Sequence, residues 1–419
     1  MYPRQLSVAL SRLTAQFPVV LITGPRQSGK TTLARAQFPD KPYVSFEDPI
    51  ERAFAEEDPR GFLARFAAGA IFDEAQRWPD LFSHLQGMVD QDRTPGRFVL
   101  TGSQQFGLLA GITQSLAGRV GVTHLLPLAL GELPATTLRK TDPDALMQRG
   151  GYPALHAGEM NPTDWFASYV ATYIERDVRQ VLRIRDLSSF QRFLRLCAGR
   201  TGQLLNLNAL GEEAGIAHST ARAWLSLLEA SYLVFQLPSY HRNFGKRLVK
   251  TPKLYFTDTA LAAWLLGLRA SDQLALHPMR GALFENFIVG EFLKARYNAG
   301  QPADLYFWRD NNGLEADLLF EDGDRLQTVE IKSGATVTAD TIRAGQKSNR
   351  FAPDESREPW LIHAGADSYS RSGVRVIGWR DLPGVLAAFT ASAGAVPPAP
   401  TFLKQKHKPI EPKPCSPKY

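Results

Sequence analysis

The chain has 419 residues, 44% of them hydrophobic and 21% charged, which is too much for a single core and ordinary for a soluble protein of two to four domains. Its two cysteines, Cys197 and Cys415, lie far apart without metal-ligand spacing, so a disulfide framework is not expected and a reducing cytosol fits. The net charge of +6 is concentrated: residues 165–250 hold 12 Lys and Arg against 6 Asp and Glu, 401–419 hold five Lys and one Glu, and the remainder is acidic. A concentrated basic segment argues for a nucleic-acid partner better than a high overall pI does. The opening MYPRQLSVAL lacks the apolar stretch of a signal peptide, and the run near LAAWLLGL is too short to span a bilayer. The expectation is a prokaryotic, cytoplasmic protein with no membrane partner.

In chain order, PVVLIT (18–23) is a short apolar run that reads as a buried strand. GPRQSGKTT follows it and opens a helical stretch. Further strands are expected at 43–48, 67–75, 97–103 and 122–130, with a helix over 79–91. Alternating strands and helices imply a parallel sheet covered on both faces. Gly24, Pro25, Arg26, Gln27, Ser28, Gly29, Lys30 and Thr31 match G-x-x-x-x-G-K-[ST] in full, with Thr32 next. In that pattern backbone N–H groups close around phosphate oxygens at a helix N-terminus. Lys30 reaches the outer phosphates and Thr31 ligates Mg2+.

The second acidic site such a loop needs stands at the end of a strand, in AIFDE. Asp73 would hold the metal's water shell and Glu74 would polarise the attacking water, which argues for hydrolysis and not mere nucleotide holding. Thr101 or Ser103, ending the next strand, would sense the outer phosphate. Arg119 is a candidate arginine finger, acting in cis or from a neighbouring subunit of a homo-oligomer.

Beyond residue 135 the texture changes. RGGYPAL (149–155) is a connector, and 165–196 is helical and rich in arginine. LNLNALGEEAGIAHSTARAWLSLLEASYLV reads as two helices around a turn at Gly215, with Ser219 or Thr220 near the cap of a recognition helix. A hairpin over 232–257 would then be a wing. In a winged helix Arg222 would face base edges, and Arg242, Lys246, Arg247 and Lys250 would meet DNA phosphates. The same unit equally serves as a packing module or a dock for a protein partner.

A long helix from about 280 precedes three strand-like runs, DLYFWRD, LEADLLFE and LQTVEIKS. In the last, Val329 and Ile331 should enter a core while Glu330 and Lys332 share the other face. Glu285 on the helix, Asp317 on one strand and Glu330-x-Lys332 on the next follow the order of a PD-(D/E)xK nuclease-like fold. Asp317 and Glu330, completed by Glu285, would bind a metal ion, and Lys332 would stabilise charge on the phosphorane. From about 391 the chain is Ala-, Pro- and Lys-rich, a composition that does not bury a core.

GPRQSGKTT, FDEAQ, LTGSQ, SLAGRV and PLALGEL together resemble the prokaryotic AAA-type P-loop ATPases that carry a C-terminal domain of unknown function. TYIERDV, KLYFTDTAL, LFENFIVGE and VEIKSG resemble that C-terminal domain. The resemblance covers about residues 1–385 and implies ATP binding and hydrolysis at Lys30, Thr31, Asp73 and Glu74. The expected fold is α/β: an ATPase domain over 1–135, a connector over 136–164, a helical and winged-helix region over 165–270, a nuclease-like α/β domain over 271–390 and a basic tail over 391–419. Three functions compete for this architecture: an ATPase acting on DNA, an ATP-regulated nuclease, and a nucleotide-dependent scaffold for protein partners.

Overall fold

The apolar, β-branched runs of the N-terminal third become five strands: β1 (Val19–Thr23), β2 (Tyr43–Ser45), β3 (Ala70–Asp73), β4 (Phe98–Gly102) and β5 (Val120–His124). The computed structural model describes residues 2–103, 115–174, 187–240, 250–311, 313–350 and 352–392. The strands lie in the order β2-β3-β4-β1-β5, and every neighbouring pair is parallel. All residues of β1 and β4 are buried, as a parallel sheet covered on both faces requires. One face packs on an aromatic cluster that includes Phe46, Phe62, Phe72 and Trp78. The other packs on Leu6, Leu10, Leu33 and Ala34 from two helices. Because the strands run the same way, the segments leaving β1, β3 and β4 emerge at one edge, and that edge carries Gly24, Asp73 and Ser103. The fifth strand ends at His124 and does not continue to 130: Pro127, with no N–H to give a ladder, lies in the turn away from the sheet.

In the middle of the chain, the helix Leu207–Ala214 stops at Gly215, whose φ of +73° suits a residue without a Cβ. A second helix runs from His218 to Ala230 and buries Ala221, Trp224, Leu225 and Leu228. The cap expected from Ser219 or Thr220 is not made; Ala217 stands at the cap position, with no side-chain hydrogen bond. Three short strands belong to the same region, β6 (Gln203–Leu204), β7 (Val234–Leu237) and β8 (Lys253–Phe256), with β8 antiparallel to both others.

The long helix Arg280–Asn298 leads into a six-stranded mixed sheet. Its strands are β9 (Tyr306–Arg309), β10 (Glu315–Asp322), β11 (Arg325–Lys332), β12 (Trp360–His363), β13 (Tyr369–Arg371) and β14 (Val374–Gly378), in the order β13-β14-β12-β11-β10-β9. One apolar cluster runs from Leu126 through Trp224 and Leu254 to Ile331 and Phe389. The middle segment and the C-terminal sheet therefore share a core. Among the described residues no helix is long and apolar enough to cross a membrane.

Candidate nucleotide site and a carboxylate shell

The turn after β1 is shaped by residues in the left-handed region: Gly24 at φ +149°, Gln27 at +61° and Gly29 at +95°. A Cβ on Gly24 would lie 2.1 Å from the Leu125 carbonyl oxygen, so only glycine lets the loop leave the sheet here. Gly29 opens the helix Lys30–Gln37, which aims that helix's unpaired N–H groups at the loop's concavity. Lys30 is buried, and its ammonium donates to the carbonyls of Gly24 (3.1 Å) and Pro25 (2.8 Å). Burial pulls its pKa down to about 8, against the opposing charges of Glu74 and Asp73.

Asp73, at the end of β3, is buried and saturated with hydroxyl donors. Thr31 donates to its Oδ1 (2.9 Å), Thr101 donates to the same oxygen, and Tyr43 donates to Oδ2 (2.8 Å). The Tyr43 hydroxyl is pushed up to about 12, first by burial and then by its bond to Asp73. Glu74 follows at φ +54°, which swings its carboxylate to Ser103 (3.2 Å) and Gln76. Ser103 thus holds Glu74, and Thr101 holds Asp73. The sequence reading gives neither Tyr43 nor Gln76 a role: Tyr43 lies on another strand, and Gln76, the last residue of FDEAQ, meets Glu74 only through the turn after β3.

Arg4 also escaped the sequence reading. Its buried guanidinium donates to the Ser28 carbonyl inside the loop (2.6 Å), to the Leu126 carbonyl (2.7 Å) and to Glu132 (3.1 Å). Glu132 in turn accepts from the backbone N–H of Gln5 and Ala129. One ion pair therefore ties the phosphate loop to the segment that leaves the sheet. Beside it a cavity of about 370 Å³ runs from Gly29, Thr32 and Leu33 to Tyr2, Pro153 and His156.

Arg119 lies elsewhere. It precedes β5 at the start of the strand, while the phosphate loop follows the end of β1, and the register pairs Val19 with Val120. Five residues of strand, roughly 17 Å, separate the two ends. Arg119 instead makes two bonds to the exposed Asp90, at 2.6 and 3.0 Å. A role in cis does not suit this placement, because the side chain starts from the far edge of the sheet.

The C-terminal carboxylates do converge. The register that pairs Leu318 with Val329 sets Asp317 opposite Glu330, and Asp317 accepts the Ile331 N–H at 2.8 Å. Val329 and Ile331 are buried in the core, which turns Glu330 and Lys332 together to the other face, 2.6 Å apart. Glu285 reaches in from its helix, and the group borders a cavity of about 610 Å³.

Glu315, which the strand period sets on the same face as Asp317, joins this shell, and two residues not singled out from the sequence complete it, Lys253 and Tyr255. Lys253, the first residue of β8 and 3% exposed, places its ammonium 2.9 Å from Glu285 and 2.6 Å from Glu315. Tyr255 donates to the same Glu285 oxygen at 2.6 Å. Burial alone would lower the Lys253 pKa, but Glu285, Asp317 and Glu315 outweigh it and raise it. Glu330 is pushed up to about 7 by burial and by Asp317. The metal reading of Glu285, Asp317 and Glu330 thus meets a cation already among the carboxylates, and no group of His, Cys, Asp and Glu among the described residues is arranged to hold a metal ion.

Of the residues read as DNA contacts, Arg222 and Lys250 are exposed. Arg242, Lys246 and Arg247 lie outside the described residues.

Comparison with known proteins matches an AAA domain to residues 16–134. It matches two domains of unknown function, DUF8612 to 140–272 and DUF4143 to 280–382. Two uncharacterized proteins, Mb2031c of Mycobacterium bovis and Rv2008c of Mycobacterium tuberculosis, are each 35% identical over 339 residues, 80% of this chain and 74% of theirs. Among solved structures, the Walker-type ATPase paby2304 of Pyrococcus abyssi overlaps 63% of this chain and 96% of its own at 14% identity and a TM-score of 0.46. A structure of RuvB from Thermotoga maritima overlaps 56% and 88% at 20% identity and a TM-score of 0.27.

Proposed function

This chain belongs to one family with the two mycobacterial relatives and carries an AAA domain over 16–134, and from that premise we propose that it hydrolyses ATP with Mg2+ in the cytoplasm and passes the change to its C-terminal half. The observation that carries the reading is the convergence of Lys30, Thr31, Asp73 and Glu74 at one sheet edge. ATP binding follows from the AAA domain. Lys30 bonds to the neutral carbonyls of Gly24 and Pro25, and anionic phosphate oxygens in their place would add the attraction of opposite charges. The Thr31 hydroxyl and the Asp73 carboxylate are the hard oxygen donors that Mg2+ prefers, and they lie 2.9 Å apart. Mg2+ bound there would neutralise charge developing on the phosphates. Glu74, held by Ser103 and Gln76, orients the attacking water. The nucleoside occupies the cavity between Gly29, Thr32 and Tyr2.

The domain division proposed is an ATPase unit over 1–135, a connector over 136–164, a middle unit over 165–270 and a C-terminal unit over 271–390. DNA is the proposed partner of the middle unit, supported by its excess of basic residues and by the exposure of Arg222 and Lys250. ATP turnover by the purified full chain, measured with and without DNA, tests the first reading, and DNA affinity across a salt series tests the second. Absence of turnover under either condition sinks the first. DNA binding that does not weaken with salt sinks the second.

A further inference from the structure

We infer that Lys253 is an internal cation lock: its ammonium stands among the C-terminal carboxylates where a divalent ion would have to sit, so the shell as folded binds no such ion. The inference stands apart from ATP hydrolysis and concerns a separate set of residues.

Four carboxylates border the shell, Glu285, Glu315, Asp317 and Glu330, and three cations face them, Lys253, Lys332 and Arg309. The cations differ in kind. Lys332 and Arg309 have side chains 42% and 41% exposed and reach in from the shell's own sheet. Lys253 comes from a different sheet, is buried, and bridges two carboxylates borne on two different elements, Glu285 on the helix and Glu315 on β10. A Mg2+ or Mn2+ ion sharing those oxygens at roughly 2.0–2.2 Å would sit within a few ångströms of the ammonium. Like charges that close, at a buried site, exclude one another. Ammonium and metal ion therefore compete for the same oxygens, and the tethered one is always present.

The lock also fixes where control enters. The first residue of β8, Lys253 pairs with Leu204 of β6 and Leu237 of β7. Tyr255, two residues on and on the same face, donates to Glu285. Both groups leave the shell only if β8 moves with the middle segment.

The test is a Mn2+ titration of the nucleotide-free full chain, followed by calorimetry and by thermal unfolding. Wild-type protein is expected to show no Mn2+ binding that Asp317→Asn removes. Lys253→Met is expected to acquire a Mn2+ site at least tenfold tighter than any in the wild type, and Lys253→Met combined with Asp317→Asn loses it. If Lys253→Met is too unstable for calorimetry, Mn2+ is expected to raise its melting temperature and to leave that of the wild type unchanged. Wild-type binding that depends on Asp317 overturns the inference. So does a Lys253→Met protein that neither binds Mn2+ nor gains stability from it.

Discussion

The phosphate loop and the C-terminal shell are built from the same parts, a lysine beside carboxylates at strand ends, yet the two lysines are bonded in opposite ways. Lys30 belongs to its own loop and donates to two neutral carbonyls. Lys253 comes from another sheet and donates to two carboxylates. An ammonium gains less Coulomb energy from a neutral carbonyl than from an anion, so an arriving phosphate can displace these bonds. A buried ammonium held by carboxylates is hard to remove, because without them it is an unpaired buried charge. The direction of each pKa fits: burial wins at Lys30 and lowers it to about 8, whereas the carboxylates win at Lys253 and raise it. One site is set up for exchange and the other for retention.

The comparison breaks most visibly at Lys30. Lys30→Ala should bring ATP turnover to background and weaken nucleotide binding tenfold or more, since a charged hydrogen bond contributes about 1.5–3 kcal/mol. Glu74→Gln should leave binding intact and slow turnover by about 10²–10⁴-fold, the range for loss of a general base. Wild-type turnover by the Glu74 variant, in a steady-state assay, would remove that residue from the mechanism.

Retention at the shell predicts a stability cost and not a catalytic one. Lys253→Met strands the half-buried carboxylates of Glu285 and Glu315 and should cost about 1–3 kcal/mol. Lys332→Met removes a lysine that is 42% exposed from the buried Glu330, whose carboxyl is already pushed up to about 7, and should cost about 1 kcal/mol or less. Urea midpoints of the two variants separate the cases; equal losses would mean that Lys253 is no more embedded than Lys332.

Protons sharpen the contrast. Lys30, lowered from 10.5 to about 8, is charged below about pH 8 and neutral above it. Phosphates favour the charged form, so nucleotide affinity should fall as pH rises through about 8, with proton uptake on binding above it. Calorimetry at about pH 8.5, just above that value, in buffers of different ionisation enthalpy reads that uptake. Glu330, raised from 4.5 to about 7, acts on stability instead. Its protonated form is favoured by folding, so its contribution is complete below pH 4.5 and is lost as pH rises to about 7. Glu330→Gln should flatten the stability profile across that window, as measured by denaturant midpoints.

The smallest effect is expected at Arg119. Its pair with the exposed Asp90 is a surface contact, and Arg119→Ala should leave the denaturant midpoint essentially unchanged. If it acts across subunits, mixing Arg119→Ala with Lys30→Ala protein should restore part of the turnover. No rescue at any protein concentration would leave it a surface contact only.

The nucleotide site was legible because its chemistry is written in adjacent residues. Gly24 to Thr31 and the Asp73–Glu74 pair each occupy one short stretch, and the strands before them declare themselves by apolar content. The alternation along β11 was legible for a related reason, since a strand's two faces follow from a period of two. Lys253 was not, because its partners Glu285 and Glu315 are 32 and 62 residues further along and meet it only through the packing of one sheet against another. Arg4, which reaches Ser28, Leu126 and Glu132, was hidden for the same reason. Arg119 shows the converse: a residue type suited to a finger, set by the strand register at the edge away from the phosphates. Local motifs determine which atoms can do chemistry, since bonding geometry along a few residues is dictated by the chain itself. Which charges are left free to do it is decided by the tertiary fold, because the energy of a buried charge depends on neighbours the local sequence does not contain.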